Sequence, residues 1–316
     1  MTEQLKAKLD YSIALLRKSE NLALLYDNVD GFYLGFSGGK DSQTLYHVAK
    51  MAGVRFKAHM ALTSVDPPQV IRFVKTNYPD VHLIPPPASI YSVALKKKVL
   101  PTRVMRWCCD VFKEGHGAGK VKLIGIRHEE SVNRAKRQEL EVSSYRFSGT
   151  QEEFAKWQEE QRAKQLEQMK KQQEQFDIDQ ESLVKCVGGK DSIIVSPIID
   201  WTERDVWEFL NEVVKVPHCE LYDTGHHRIG CLFCPMSTKR NLLRECREYP
   251  HQRHRWIETI KEMRRNGAML NLDEHIDLSG YSEDEVAEFI FDWWISKKNS
   301  KEYVADKFLQ QTINFD

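Results

Sequence analysis

Phe36-Ser37-Gly38-Gly39-Lys40-Asp41-Ser42 follows a short apolar run, Gly31 to Phe36, and opens a segment with helical spacing. The pattern predicts a strand, a glycine-rich turn and a helix N-terminus. There, free backbone N–H groups and the positive end of the helix dipole converge on one spot, an arrangement that captures a phosphate chain. Gly38 and Gly39 let the backbone bend sharply and approach an anion without a Cβ in the way. Lys40 adds a point charge, and Ser37, Asp41 and Ser42 supply hydroxyl and carboxylate groups. The spacing differs from the G-x-x-x-x-G-K-S/T loop of ordinary nucleotide hydrolases.

Outward from this loop, strands and helices alternate. Thr2 to about Leu25 carries Leu5, Leu9, Ile13, Leu16 and Leu24 at helical intervals, an amphipathic helix. Strands are expected at Phe32–Phe36, Phe56–Leu62, Val81–Ile84 and Val121–Ile126, with helices at Asp41–Ala52, Pro68–Asn77 and Ile90–Lys97. Such alternation implies an α/β fold, a parallel sheet covered by helices, with ligands at the carboxyl ends of the strands. Thr150–Gln175 is nearly all Gln, Glu, Lys and Arg, and reads as a long solvated helix inserted into the core domain. A second Gly188-Gly189-Lys190-Asp191-Ser192 precedes a strand, Ile193–Ser196, and so reads as a turn. Asp200-Trp201-Thr202 caps a helix through Leu210, and the chain from about Lys239 is helical, with core aromatics around Phe289–Trp294. The expected domains are a helix at 1–28, a nucleotide-binding domain at 29–235 with the insertion at about 150–183, and a helical region at 236–316.

With 316 residues, 29 % charged and 41 % hydrophobic, the composition is that of a globular chain, and a formal net charge of zero leaves only local clusters to speak of nucleic acid. Neither a signal-peptide core nor a run long enough to span a bilayer is visible, so no membrane partner is expected. Seven cysteines in such a chain suit a reducing compartment, the cytoplasm, where they serve metals or catalysis more than disulfides. Cys231-Leu232-Phe233-Cys234 forms a C-x-x-C pair with Pro235 behind it, Cys219 ahead of it, and Cys108-Cys109 far upstream. That set admits a redox dithiol, zinc or an iron–sulfur cluster. Lys96, Lys97, Lys98, Arg103 and Arg106 cluster before Cys108; Arg127 and Arg134 follow a strand. These cations could face a sulfate, a phosphate or a nucleic-acid backbone. Arg253–Arg265 is a further basic stretch, one that alone reads as an exposed helix.

Ser37 to Ser42 resembles the PP-loop, S-G-G-x-D-S, of the N-type ATP pyrophosphatases, which include sulfate adenylyltransferase, tRNA-thiolating enzymes and the phosphoadenylylsulfate (PAPS) reductase family. The stretch Pro101-Thr102-Arg103-Val104-Met105-Arg106-Trp107-Cys108-Cys109 is similar to a segment of the PAPS reductase family. So are Gly125-Ile126-Arg127 with Glu130-Ser131 and Arg134, Pro197–Thr202 with Asp205-Val206-Trp207, and Leu221-Tyr222-Asp223-x-Gly225 running into Gly230–Pro235. In pattern the chain is most similar to the DNA phosphorothioation sulfurtransferase type.

The resemblance implies a Rossmann-like sheet of the adenine nucleotide alpha hydrolase (HUP) type. It also implies ATP with Mg2+, cleaved between its α- and β-phosphates. Ser37, Gly38, Gly39, Lys40, Asp41 and Ser42 would hold the phosphates, the adenine would sit near Ala61–Thr63 and Gly125, and Arg127 would reach the α-phosphate or acceptor. Lys40, Asp41 and Arg127 are the expected catalytic residues, and Arg103, Arg106 and Arg134 the expected anion contacts. A 4Fe-4S cluster, or zinc as alternative, would use Cys108, Cys109, Cys231 and Cys234 or bring in Cys219. A cysteine desulfurase would be the sulfur donor. Three activities follow: adenylation coupled to sulfur transfer, reduction of PAPS or adenylylsulfate to sulfite, and nucleotide sensing. The intact loop with Lys40, and the absence of cysteine after Cys246, favour adenylation over reduction.

Overall fold

Six short strands hydrogen-bond in the order β3-β2-β1-β4-β6-β5. They are β1 (Phe32–Gly35), β2 (Phe56–Ala61), β3 (His82–Ile84), β4 (Val121–Leu123), β5 (Leu140–Ser143) and β6 (Ser192–Val195). The computed structural model describes residues 1–143, 192–268 and 277–309. The charged insertion, the glycine echo at 188–191 and Cys186 lie outside the described residues. The sheet is Rossmann-like and mostly parallel: β1 runs parallel to β2 and β4, and β4 parallel to β6. The sequence signals four of these strands and β6; β5 was not anticipated. It pairs antiparallel with β6, Leu140 opposite Val195.

Between β1 and β4 the strand order reverses, and at such a point the loops leaving two neighbouring strands diverge and open a crevice. The loop after β1 is Phe36–Gly39, leading into α2 (Lys40–Ala52); the loop after β4 is Ile124–Arg127. Phe36 N–H donates to the His59 carbonyl at 2.8 Å, carrying the β1–β2 pairing to the edge of the glycine turn.

The helix α1 (Glu3–Tyr26) is capped by Thr2 and buries Leu5, Leu9, Ser12, Leu16, Ser19 and Ala23, a single stripe of three- and four-residue steps. It packs on α2 and on β1 and β4. Its buried polar anchor is Ser12, whose hydroxyl donates to the Pro197 carbonyl at 2.6 Å and accepts from Trp201 Nε1 at 3.1 Å, while Lys8 reaches Asp205 at 2.6 Å and Arg17 Nε the Ala52 carbonyl at 2.9 Å. The helix α3 (Pro68–Asn77) buries Val70, Phe73 and Val74.

The chain condenses into two units that interleave along the sequence: Met1–Met60, Gln69–Ile84 and Gly115–Asp223 form the first, and Ala61–Pro68, Pro85–Glu114 and Thr224–Asp316 the second. The first contains the sheet. In the second, α4 (Ile90–Lys97) packs on the helix Pro250–Arg265, which packs in turn with Lys239–Glu248 and Glu283–Ser296. Its core includes Trp107, Leu232, Phe233, Trp256, Ile260, Ile290 and Phe291. Trp294 Nε1 donates to the Pro101 carbonyl at 2.7 Å, which ties the segment before the paired cysteines to the last long helix. The expected aromatics near Phe289–Trp294 are thus core. Among the described residues no helix is long and apolar enough to cross a membrane.

At Gly125 the β4 exit comes against α2: a Cβ there would stand 2.8 Å from the Asp41 carbonyl oxygen and 3.1 Å from its carbon. These are backbone atoms, so relief requires moving a strand exit or a helix start. Gly125→Ala should cost about 1–3 kcal/mol, read as a lower urea midpoint. Gly115→Ala, where a Cβ meets nothing within 4 Å, should leave the midpoint unchanged.

Candidate functional site

Gly38 adopts φ +73°, and a Cβ there would meet the Val70 and Val74 side chains, each at 2.9 Å. Only glycine both takes that backbone and lets α3 pack so closely. Gly39 is the N-cap of α2 and supplies no side-chain cap, so the helix start depends on other acceptors. Ser42 stitches the turn: its hydroxyl accepts from the Ser37 amide at 3.2 Å and donates to the Gly39 carbonyl at 2.9 Å. The Gly39 amide has only a long contact, 3.4 Å, to Ser37 Oγ. The Lys40 amide donates to the Tyr222 hydroxyl at 2.8 Å.

A buried relay holds the Gly38 carbonyl. Gln43 Nε2 donates to it at 3.3 Å, Tyr78 OH donates to Gln43 Oε1 at 3.0 Å, and His47 Nε2 lies 3.1 Å from the Tyr78 oxygen. Each group has one consistent role: the Tyr78 proton is spent on Gln43, so His47 must give its Nε2 proton. Burial lowers the His47 imidazole to about 4, so it stays neutral near pH 7. With the Gly38 carbonyl held by Gln43, the Gly39 N–H of the same peptide points the opposite way.

Lys40 is 4 % exposed. Its ammonium lies 3.6 Å from Asp41 and 3.5 Å from Glu203. The Arg127 guanidinium is buried and committed to acids: Nε donates to Asp41 at 2.6 Å and NH1 to Glu129 at 2.8 Å. It clamps the exit of β4 to the first turn of α2, across the Gly125 contact. Glu130 accepts the Arg127 amide at 2.9 Å and pairs with Arg134. Ser37, Gly38, Gly39, Lys40, Asp41, Ser42, Gly125 and Arg127 therefore stand together around one crevice, and Arg134 is turned to its own ion pair.

The second unit gathers Cys108, Cys109, Cys231 and Cys234. Cys108 hydrogen-bonds to Cys109 and feels Cys234 and Cys231; that bond and burial hold its thiol far above the usual range. Cys109 accepts that bond and one from Arg106 at 3.3 Å, and is pulled well below the usual range. Two donors serve the Cys231 sulfur, Lys113 Nζ at 3.1 Å and Thr63 Oγ1 at 3.4 Å. Burial works against the Lys113 charge, and Cys231 more than offsets it, so the ammonium is held up. Burial raises Cys234. The turn between Cys231 and Cys234 puts Phe233 at φ +54°, and its amide donates to Glu245 at 2.5 Å.

Cys219 is buried in the other unit, where burial raises its thiol and its charged surroundings are Glu220, Asp223 and Arg72. Thr63, expected beside an adenine, belongs to the unit with Cys231 and donates to that sulfur and, through its amide, to Asp66 at 2.6 Å. Arg103 is exposed, and Arg106 points at Cys109 and Glu114. Among the described residues no three His, Cys, Asp or Glu side chains converge as a ready single-ion site. The four thiols suit an all-thiolate group in donor chemistry, with basic donors for two of the sulfurs.

In the basic helix Pro250–Arg265, Arg253 pairs with Glu288, Arg265 with Glu283, and Lys261 with Glu258 and Asp284. Arg255 lies 4.5 Å over the Tyr91 ring and Trp256 is buried. These cations serve packing between helices, as in an ordinary paired surface helix.

Gln43, Tyr78, Glu203 and Glu245 carried no motif signal; each acts through a partner many residues away. A sequence hint existed only for Gln43, a polar residue one turn inside the helix that the loop opens.

A family model described as the phosphoadenosine phosphosulfate reductase domain matches residues 32–237. The chain belongs to that family. It is 26 % identical over 269 residues to an uncharacterized protein of Methanocaldococcus jannaschii, covering 82 % of this chain and 50 % of that protein. A second uncharacterized protein of the same organism is 24 % identical over 241 residues, 72 % of this chain and 41 % of the other. The chain thus spans about half the length of these relatives or less. A 43-residue stretch, 14 % of this chain and 18 % of the relative, is 46 % identical to adenosine 5'-phosphosulfate reductase of Oceanobacillus iheyensis. Among solved structures, Candida glabrata FMN adenylyltransferase in complex with FMN and an ATP analog aligns at TM-score 0.42 and 13 % identity, over 72 % of this chain and 64 % of that one. The phosphate complex of Candida auris PAPS reductase aligns at 0.41 and 15 %, over 74 % and 97 %.

Gln43→Leu should deprive the Gly38 carbonyl of the Gln43 amide and the Tyr78 proton of its acceptor, with His47 still bonded to the Tyr78 oxygen, and cost about 2 kcal/mol in urea unfolding. A second prediction concerns Glu245, whose carboxyl burial raises from 4.5 to about 7. The folded protein then holds a proton between pH 4.5 and 7 that the unfolded chain releases, so this group's contribution to stability falls as pH rises through that window, by up to about 3 kcal/mol. Glu245→Gln should flatten that slope in melting temperature measured from pH 4.5 to 7.5.

Proposed function

We propose that this chain is a nucleotide-binding enzyme of the PAPS-reductase-like type that cleaves ATP to AMP and pyrophosphate, adenylating an acceptor for sulfur transfer. One observation carries the reading. The glycine loop and the start of α2 meet the β4 exit at the point of strand reversal, with a buried lysine ammonium at the crevice. Family membership supports nucleotide use.

In this mechanism the β,γ-phosphates of ATP lie on the amides of the Ser37–Ser42 turn. An acceptor oxygen attacks the α-phosphorus, the bond to the bridging oxygen breaks, and pyrophosphate departs with the added negative charge. Lys40 neutralises that charge, exchanging its contacts with Asp41 and Glu203 for phosphate oxygens. A preorganised cation of this kind is usually the largest catalytic contribution. Arg127 acts by holding Asp41, the carboxylate suited to Mg2+, in place. Bound Mg2+ would screen the triphosphate.

Cys108, Cys109, Cys231 and Cys234 are the residues that would hold a 4Fe-4S cluster, with zinc as the alternative for the same thiols. Such a group, when bound, would supply sulfur or electron exchange, with a cysteine desulfurase as sulfur donor and a nucleic acid or smaller molecule as acceptor. Thr63 and Lys113 would tune it through the Cys231 sulfur. Reduction of PAPS or adenylylsulfate to sulfite is the second reading, favoured by the family's description and by the local similarity to a reductase.

Anaerobically purified protein incubated with ATP and Mg2+ should release pyrophosphate, and with PAPS plus thioredoxin should yield no sulfite. Sulfite from the second mixture, with no pyrophosphate from the first, would replace adenylation by reduction. Lys40→Ala should lower pyrophosphate release by about 10²–10³-fold with an unchanged circular dichroism spectrum; retained turnover removes the lysine from the mechanism.

A further inference from the structure

The Tyr222 hydroxyl stands where the loop would receive a phosphate oxygen. It accepts the Lys40 amide at 2.8 Å, the first N–H of α2, and it lies so near Gly39 that a Cβ there would be 3.4 Å from it. No side chain of the loop caps this helix; a residue more than 180 positions away does so instead. The ring is fixed from outside the loop. It meets Trp207 edge-on at 5.0 Å and 90°, with His218 at 6.2 Å, and the Lys40 ammonium lies 5.8 Å from its centroid. Tyr222 ends the short turn Glu220–Tyr222, and the sheet unit ends one residue later at Asp223. A phenylalanine would make every one of these ring contacts, so the hydroxyl is needed only for the amide.

We propose that Tyr222 is a resident competitor for the phosphate subsite of the glycine loop. The proposal rests on the reading of that loop as a nucleotide phosphate site. A phenol oxygen is a neutral acceptor, whereas a pyrophosphate oxygen is charged and makes a bond roughly twice as strong. The ligand therefore takes the Lys40 amide from Tyr222, and binding is weakened by the worth of the bond it displaces. The same exchange runs backwards after cleavage: the returning hydroxyl satisfies the helix start as pyrophosphate leaves, so the emptied loop is not left with an orphan amide. A nucleoside without phosphates never reaches that amide and is indifferent to Tyr222.

Titration calorimetry with pyrophosphate and, separately, adenosine, on the wild-type chain and on Tyr222→Phe, tests this. Pyrophosphate should bind the variant about fivefold more tightly, the equivalent of one net neutral hydrogen bond, with adenosine unchanged. Equal or weaker pyrophosphate binding by the variant, beside measurable wild-type binding, overturns the competitor and leaves the loop reading standing. No pyrophosphate binding by either protein overturns both. An independent readout uses the wild type alone: pyrophosphate should change the emission of Trp207, against which Tyr222 packs, and Trp207→Phe should abolish that change. Unaltered emission under saturating pyrophosphate counts against displacement.

Discussion

The close approach of two backbones, Gly125 against the Asp41 carbonyl, sets the geometry of everything around the crevice. It brings the exit of β4 against the first turn of α2 with no side chain between them. The Arg127–Asp41 and Arg127–Glu129 pairs then become possible, because the guanidinium two residues after Gly125 is delivered to the helix start. Burying an arginine is costly unless its charge is met and its donors used. Two carboxylates and the Trp201 carbonyl do that. The clamp and the contact depend on each other.

Around this point the loop's polar groups are held from several directions. The Gly38 carbonyl is held from the α2–α3 side by Gln43 and Tyr78, the Lys40 amide by Tyr222, and Ser42 binds the turn to itself. A turn with so many fixed partners presents its remaining groups in a constant orientation, and preorganisation of that kind makes an anion site effective. The second unit follows a different electrostatic logic. Its thiols are pulled apart in acidity by a shared hydrogen bond and by Arg106, and the Lys113 charge is held up chiefly by the Cys231 sulfur beside it. Glu245 fixes the left-handed Phe233 between two of those thiols, so the turn's shape depends on the helix that follows it.

Much of the fold was legible. Apolar steps of three and four marked α1, and the alternation of strand-like and helical segments marked β1, β2, β3, β4 and β6. Thr202 with Asp205 marked the capping box that starts the helix Glu203–Glu208. The strand β5 was not, because a four-residue edge strand carrying Glu141 has too few alternations to register. The basic stretch Arg253–Arg265 read as an exposed helix; that Arg253, Lys261 and Arg265 pair with Glu288, Asp284 and Glu283 of the helix Glu283–Ser296 is visible only in the fold. Cys219 and the Cys108-Cys109 pair were equivalent candidates on spacing alone; the fold puts Cys219 in the sheet unit and the pair with Cys231 and Cys234.

Local order along the chain, by itself, determined the strand–turn–helix at Phe32–Ala52, the glycines that its sharp bend requires and the family those residues share. Backbone sterics and helix-end chemistry act over a few residues, so they can be read from neighbours. Tertiary structure alone decided the roles of distant groups: Tyr222 as a hydrogen-bond partner of the turn, Tyr78 as the residue that holds Gln43 against it, Arg127 as a buried clamp rather than an exposed cation, and Thr63 as a donor to sulfur. Those roles depend on burial and on distances between segments far apart in the chain, and one-dimensional order carries neither quantity.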